Sequence, residues 1–259
     1  MINLKEKNIL ITGGAGRIGH ASAQEILNLN CKKLILVDNN KDALYECKNK
    51  LHIKETQSVK LILGDTTSSE SIKEILKEAK KEVSTIHGCV HSAYPRNNGW
   101  GASIENLEDK ILFENINMQL GGSILISKAI CELFNNQGFG SLVHISSIQG
   151  LGSPKFWHYQ NSSFSSPIEY TAIKSGLISI TKWLSKYYSG KKIRVNCVSP
   201  GGIISSGQDK SFLKAYRDSC NNIGMLNPNH LAPCIAFLLS DSAEAINGQN
   251  LIIDDGWSL

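Results

Sequence analysis

The sequence predicts an α/β chain: one doubly wound domain over residues 1–259, with a parallel seven-stranded sheet and helices on both faces. Three observations carry this. Short runs of aliphatic and β-branched residues alternate with longer segments of helical period, the pattern of successive βαβ units. No linker, repeat or low-complexity tract interrupts the alternation. The chain has 259 residues, 41% of them hydrophobic, enough to bury a sizeable core in a single α/β unit.

The elements follow in order. Asn8–Thr12 is a compact apolar run ending in glycines, and helical spacing follows through Ile18, Ala21, Ile26 and Leu29. Residues 34–38 read as a second strand buried on both faces, 41–54 as a helix, and 59–63 as a third strand. Thr67-Ser-Ser-Glu70 has the form of a capping box and opens a helix with apolar residues at 72, 75, 76 and 79. A fourth strand covers 86–90. One long or broken helix fills 104–136 and stops at Gly138 and Gly140. A fifth strand (141–145), a helix (167–188), a sixth strand (193–198), a helix (230–240) and a closing strand (250–253) complete roughly seven strands and six helices. Residues 152–168 break the rhythm. They are long, aromatic and aperiodic, and a segment of that kind in a compact domain points to function.

Composition excludes several classes. The net charge of +4 comes with Lys and Arg spread along the chain in runs no longer than pairs, without the concentrated basic face that nucleic acid requires. Cys31, Cys47, Cys89, Cys131, Cys197, Cys220 and Cys234 are odd in number and widely spaced, which argues against a disulfide framework or a metal site. No apolar run reaches the ~20 residues that cross a bilayer, and the start of the chain runs straight into the first strand. The expected setting is the cytoplasm.

Thr12-Gly-Gly-Ala-Gly-Arg-Ile-Gly19 joins the first strand to the first helix. Glycines at such a junction let the backbone approach a pyrophosphate at the helix N-terminus. Asp38 ends the second strand, where a carboxylate accepts both hydroxyls of an adenosine ribose and repels a 2′-phosphate. NAD is therefore the expected cofactor. Arg17 is a contrary sign, a cation able to serve a 2′-phosphate, so NADP stays open. Further on, Tyr170 and Lys174 stand at i and i+4 on one helix face. A free phenol has a pKa near ~10, and a neighbouring ammonium lowers it toward a working acid/base.

From the turn, Asp65, Asn117 in NINMQL, Ser147 in HISSIQG, Tyr170 with Lys174, Pro200–Ser205 and Gly248–Gly256 taken together, the chain resembles the short-chain dehydrogenase/reductase family end to end. The resemblance implies a Rossmann domain and hydride transfer between a nicotinamide and a carbonyl or alcohol carbon. It implies Tyr170 as acid/base, Ser147 orienting the carbonyl oxygen, Lys174 holding the nicotinamide ribose, and Asn117 supporting a water relay to Lys174. The cofactor set it implies is Gly13, Ala15, Gly16, Arg17 and Ile18 in the turn, Asp38 and Asn39, Asp65 and Thr66, His91, Ser92 and Ala93, then Tyr170 and Lys174, and finally Pro200, Gly201, Ile203 and Ser205. No metal is implied. Family members assemble as homodimers or homotetramers through the helices expected here at 104–136 and 167–188.

Three departures stand out. Arg17 replaces the usual middle glycine, His91-Ser-Ala replaces an asparagine-containing stretch, and the excursion separates Ser147 from Tyr170 by more than is usual. The excursion and the ending INGQNLIIDDGWSL resemble a narrower group, bacterial oxidoreductases of flagellin glycosylation associated with nonulosonic sugars. That implies a sugar, sugar phosphate or nucleotide sugar as substrate, with Arg96, Ser147, Phe156 and Phe164 as candidate contacts. A 3-oxoacyl or small-ketone reductase, and a non-catalytic nucleotide-binding protein on the same fold, remain alternatives.

Overall fold

Seven strands form one parallel sheet in the order β3-β2-β1-β4-β5-β6-β7 in the computed structural model, which describes residues 2–160 and 165–259. The strands are β1 (Asn8–Thr12), β2 (Lys33–Asp38), β3 (Ser58–Leu63), β4 (Gly88–His91), β5 (Phe139–Ile145), β6 (Lys192–Pro200) and β7 (Asn250–Ile253). Eight α-helices accompany them among the described residues: α1 (Arg17–Asn28), α2 (Lys41–Lys50), α3 (Ser69–Glu82), α4 (Asp109–Ile116), α5 (Gly122–Gln137), α6 (Ile168–Tyr187), α7 (Lys210–Asp218) and α8 (Ala232–Leu239).

Successive strand residues point to opposite faces, and the core divides accordingly. Ile9, Ile11, Leu34, Leu36 and Val143 pack with Ile26, Leu44 and Ile235 from α1, α2 and α8. Leu10, Ile35, Val37, Leu142 and Val195 pack with Ile75, Ile130 and Phe134 from α3 and α5. Strand order reverses between β1 and β4, and the crevice beyond the carboxyl ends of the strands at such a switch point is where doubly wound sheets bind ligands.

The expected elements hold in kind and shift at their ends. The capping signal moves by one residue. Ser68, not Thr67, caps α3 by accepting from the Ser71 N–H, because Thr67 gives both its N–H and its hydroxyl to the Asp65 carboxylate. The expected 104–136 helix is broken: α4 and α5 are joined by a π-turn over Asn117–Gly121, and α5 ends at Gly138 with φ +92°. Helix α7 was not anticipated. Asp209 caps it by accepting from Ser211 and Phe212 N–H, and Phe212 and Tyr216, four residues apart, give it one buried side. Two helices were thus hidden, one by a break and one by polar surroundings. Among the described residues no helix is long and apolar enough to cross a membrane.

Candidate active site

The crevice is a cleft of about 680 Å³. Its first wall is the turn between β1 and α1. Gly13 has φ +67°, and a Cβ there would lie 2.6 Å from the Ala93 nitrogen; one on Gly19 would lie 2.1 Å from the Gly13 carbonyl oxygen. Only hydrogen fits at either position. The start of α1 has no side-chain cap and no acid in its first turn, so its N–H groups and dipole face an anion unopposed. Asp38, at the end of β2, accepts from the Ala15 N–H at 3.2 Å and the Asn40 N–H at 3.1 Å, which ties the carboxylate to the turn it serves. These features fit a dinucleotide: a close-approach backbone, an open helix N-terminus and a carboxylate at the end of β2 on the same cleft.

At the far end, β5 delivers Ser147 and α6 delivers Tyr170 and Lys174, and all three line the same cleft. Their relative placement has a local cause. A Cβ on Gly150 would lie 2.7 Å from the Lys174 carbonyl carbon, so the turn after β5 rests directly on the α6 backbone. The Ser175 hydroxyl donates to the Gly150 carbonyl at 3.0 Å and the Ser146 hydroxyl to the Lys174 carbonyl at 2.7 Å. Lys174 is buried. Its ammonium donates to the Ile145 carbonyl at 3.0 Å and stands 5.5 Å from the centre of the Tyr170 ring.

The electrostatics differ from the expectation that Lys174 governs the phenol. Burial pushes the Tyr170 pKa up, and a hydrogen bond with Ser147 is what opposes it. Burial also pulls Lys174 down to about 8. An ammonium over the ring, rather than against the hydroxyl, stabilises the phenolate less than a direct contact would.

Most of the expected residues meet here. Ala15, Gly16, Arg17 and Ile18 line the cleft with Gly13; so do Asp38, Asn39, Asp65 and Thr66, and, across from them, Ser92, Ala93, Pro200, Gly201 and Ile203. Arg96 lines the other end. Five do not join them, four of which the structure describes. His91 is buried beneath the cleft, bonded at 2.7 Å to the Thr12 hydroxyl and at 2.9 Å to that of Ser123. Burial drives its pKa down to about 3. It braces β1 and β4 against α5. Ser205 is off the cleft wall, its N–H donating to Gln208. Phe156 is exposed; within the same short 3-10 turn it is Tyr159 that lines the cleft. Asn117 is exposed on the π-turn, while Gln119 is buried with both polar atoms of its carboxamide unpartnered. Phe164 lies outside the described residues.

Several residues in and around the cleft had no motif to announce them. Tyr94 and Trp100 meet the Tyr170 ring edge-on, each with centres 5.9 Å away. Tyr216 accepts from the Gly202 N–H at 2.5 Å and stacks on Trp257 at 5.7 Å. Lys155 donates to the Trp257 carbonyl at 2.9 Å with its ammonium 4.6 Å from the ring centre, and His158 pairs with Ser219 at 2.9 Å. The excursion is therefore docked on α7 and the C-terminal segment. Gln119 did leave a signal: with Ser123 and Ser127 it makes a polar i, i+4, i+8 ladder, which the structure buries.

A family model described as enoyl-(acyl carrier protein) reductase matches residues 13–258. The chain belongs to the short-chain dehydrogenase/reductase family. It is 37% identical over 258 residues to post-translational flagellin modification protein A of Campylobacter coli, covering 99% of this chain and 100% of that one. It is 27% identical to the 3-oxoacyl-[acyl-carrier-protein] reductase of Chlamydia trachomatis, over 98% of each. A crystal structure of a short-chain dehydrogenase from Leptospira borgpetersenii with bound NAD+ superposes with a TM-score of 0.85 at 28% identity, covering 99% of this chain and 94% of that one.

Proposed function

We propose that this chain is an NAD(H)-dependent reductase or dehydrogenase of a sugar-type substrate, serving flagellin or surface-glycan modification. The observation that carries the reading is the convergence of Ser147, Tyr170 and Lys174 at one end of a cleft whose other end holds the glycine turn and Asp38. When bound, the nicotinamide supplies or accepts the hydride. The chain's own residues do the rest. Ser147 holds the carbonyl oxygen of the substrate, and the Tyr170 hydroxyl gives it a proton in reduction or takes one in oxidation. Lys174 binds the ribose hydroxyls and returns the proton to the phenol. The relay role expected of Asn117 passes to Gln119, whose unpartnered carboxamide suits a buried water. The flagellin-modification relative, aligned over its full length, supports the setting in flagellin modification. The exposed, stacked pair Trp183 and Tyr187 on α6 supports assembly as a homodimer or homotetramer.

Tyr170→Phe tests the mechanism. The variant should bind NADH as the wild type does while single-turnover hydride transfer falls by roughly 100- to 10,000-fold. Turnover unchanged in that variant would remove Tyr170 from the chemistry. The second reading is a 3-oxoacyl or small-ketone reductase, favoured by the apolar walls Phe212, Met225 and Trp257. A panel of sugar, nucleotide-sugar and acyl-thioester substrates separates the two, since turnover confined to thioesters would replace the sugar assignment.

A further inference from the structure

Arg17 stands in the glycine turn as the first residue of α1, and its side chain does not remain on its own wall of the cleft. Its guanidinium donates to the Ile204 carbonyl at 2.8 Å and reaches the Ile203 carbonyl at 3.5 Å. Ile203 belongs to the opposite wall, the segment after β6. That segment is well anchored. Ile203 pairs with Leu226 in an isolated parallel bridge, the Leu226 N–H donates to the Gly202 carbonyl at 2.7 Å, and the Ile204 N–H donates to the Leu226 carbonyl at 2.9 Å. Arg17 is thus a side-chain tie between the glycine turn and the segment after β6, both of which line the cleft. No carboxylate among the described residues forms an ion pair with it.

We infer that Arg17 is a strap across the dinucleotide cleft, holding the post-β6 segment over the cofactor and setting how long the cofactor stays rather than which cofactor is chosen. A guanidinium has five N–H donors in a fixed fork, and the two carbonyls engage only one of its terminal nitrogens. The remaining donors are left to face an anion, and the pyrophosphate is the anionic part of the dinucleotide that meets the start of α1. A lysine keeps the charge but, as a flexible point donor, loses the fork. The same geometry argues against a 2′-phosphate partner, because the guanidinium is engaged by the carbonyls of residues 203 and 204. The inference rests on the cofactor reading above.

The test uses the full-length enzyme with NADH, NADPH and ADP-ribose as probes, none of which requires the substrate to be known. NADH dissociation is followed by stopped-flow fluorescence in wild type, Arg17→Met and Arg17→Lys. Loss of a charge-assisted hydrogen bond at an exposed site should speed release from Arg17→Met by about tenfold, equal to about 1.4 kcal/mol. Arg17→Lys should fall between the two. ADP-ribose, which carries the pyrophosphate, should be released faster as well, and the NADH-to-NADPH affinity ratio should stay within about twofold of wild type, as a strap indifferent to the 2′-position requires. Hydrogen exchange in the absence of cofactor supplies a readout of the tie itself: amides 202–206 should exchange faster in Arg17→Met while β1 and β2 do not change. Dissociation equal to wild type, or a selective loss of NADPH affinity, would overturn the strap. Failure of the wild-type enzyme to bind NADH at all would instead overturn the cofactor reading, so the two failures are distinguishable.

Discussion

The two ends of the cleft are built by different physics. The end proposed for the cofactor is made of backbone: parallel strands, glycines that admit no Cβ, and an aspartate bonded to the turn it faces. The end proposed for the substrate is made of side chains brought from distant parts of the chain. Phe212 and Tyr216 from α7, Trp257 near the C-terminus and Tyr159 from the excursion form a small aromatic cluster of their own, set apart from the two cores that flank the sheet. A backbone site tolerates little variation and keeps one ligand class. A site made of side chains on loops can be rebuilt while the sheet stays the same, which is how one fold serves many substrates.

The sharpest way to break that comparison is Trp257→Ala. Removing a buried ring that stacks on Tyr216 and receives Lys155 should cost about 3–5 kcal/mol of stability. The ADP-ribose affinity of the protein that remains folded should stay close to wild type. Chemical denaturation paired with ADP-ribose titration checks this, and equal damage to both ends would show the cluster to be structurally inseparable from the sheet.

Next in size is acid. His91 and His144 are buried, and burial holds their pKa values near about 3 and about 4. Both lie below the ordinary histidine value, so as pH falls below 6.5 the unfolded chain takes up protons that the folded chain refuses. Stability is therefore fully present above pH 6.5 and declines toward pH 4, by about 2–3 kcal/mol between pH 7.5 and 5.5 for two such histidines. Urea unfolding at the two pH values measures it. His91→Asn should roughly halve the slope, and an unchanged slope would place the acid sensitivity elsewhere. The smallest effect concerns selectivity. Asp38→Ala should weaken NADH by about tenfold and narrow its advantage over NADPH. Wild-type protein that already prefers NADPH would refute the carboxylate argument.

Much of this was legible in advance because strand and helix periods are local. The β1 run, the glycine turn, Asp38 and the Tyr170–Lys174 pair each lie within a few residues and sit where the pattern put them. Asn117 shows where legibility ends. Both Asn117 and Gln119 lie in the π-turn, a local irregularity with no signal in the helical period, and there Gln119 is buried while Asn117 is exposed. His91 is similar: its place at the end of β4 was evident, but the Thr12 and Ser123 hydroxyls that claim its ring come from other elements.

From its residues alone the chain determined an alternating α/β order, a glycine turn at the first βα junction and a Tyr170–Lys174 pair on one helix, because each depends on neighbours in sequence and on the fixed geometry of the backbone. Only the tertiary structure decided that Arg17 spans the cleft, that α7 and Trp257 close its far end, and that Gln119 is the buried carboxamide. These join residues up to some two hundred positions apart, and such contacts exist only after the sheet has brought their carriers together.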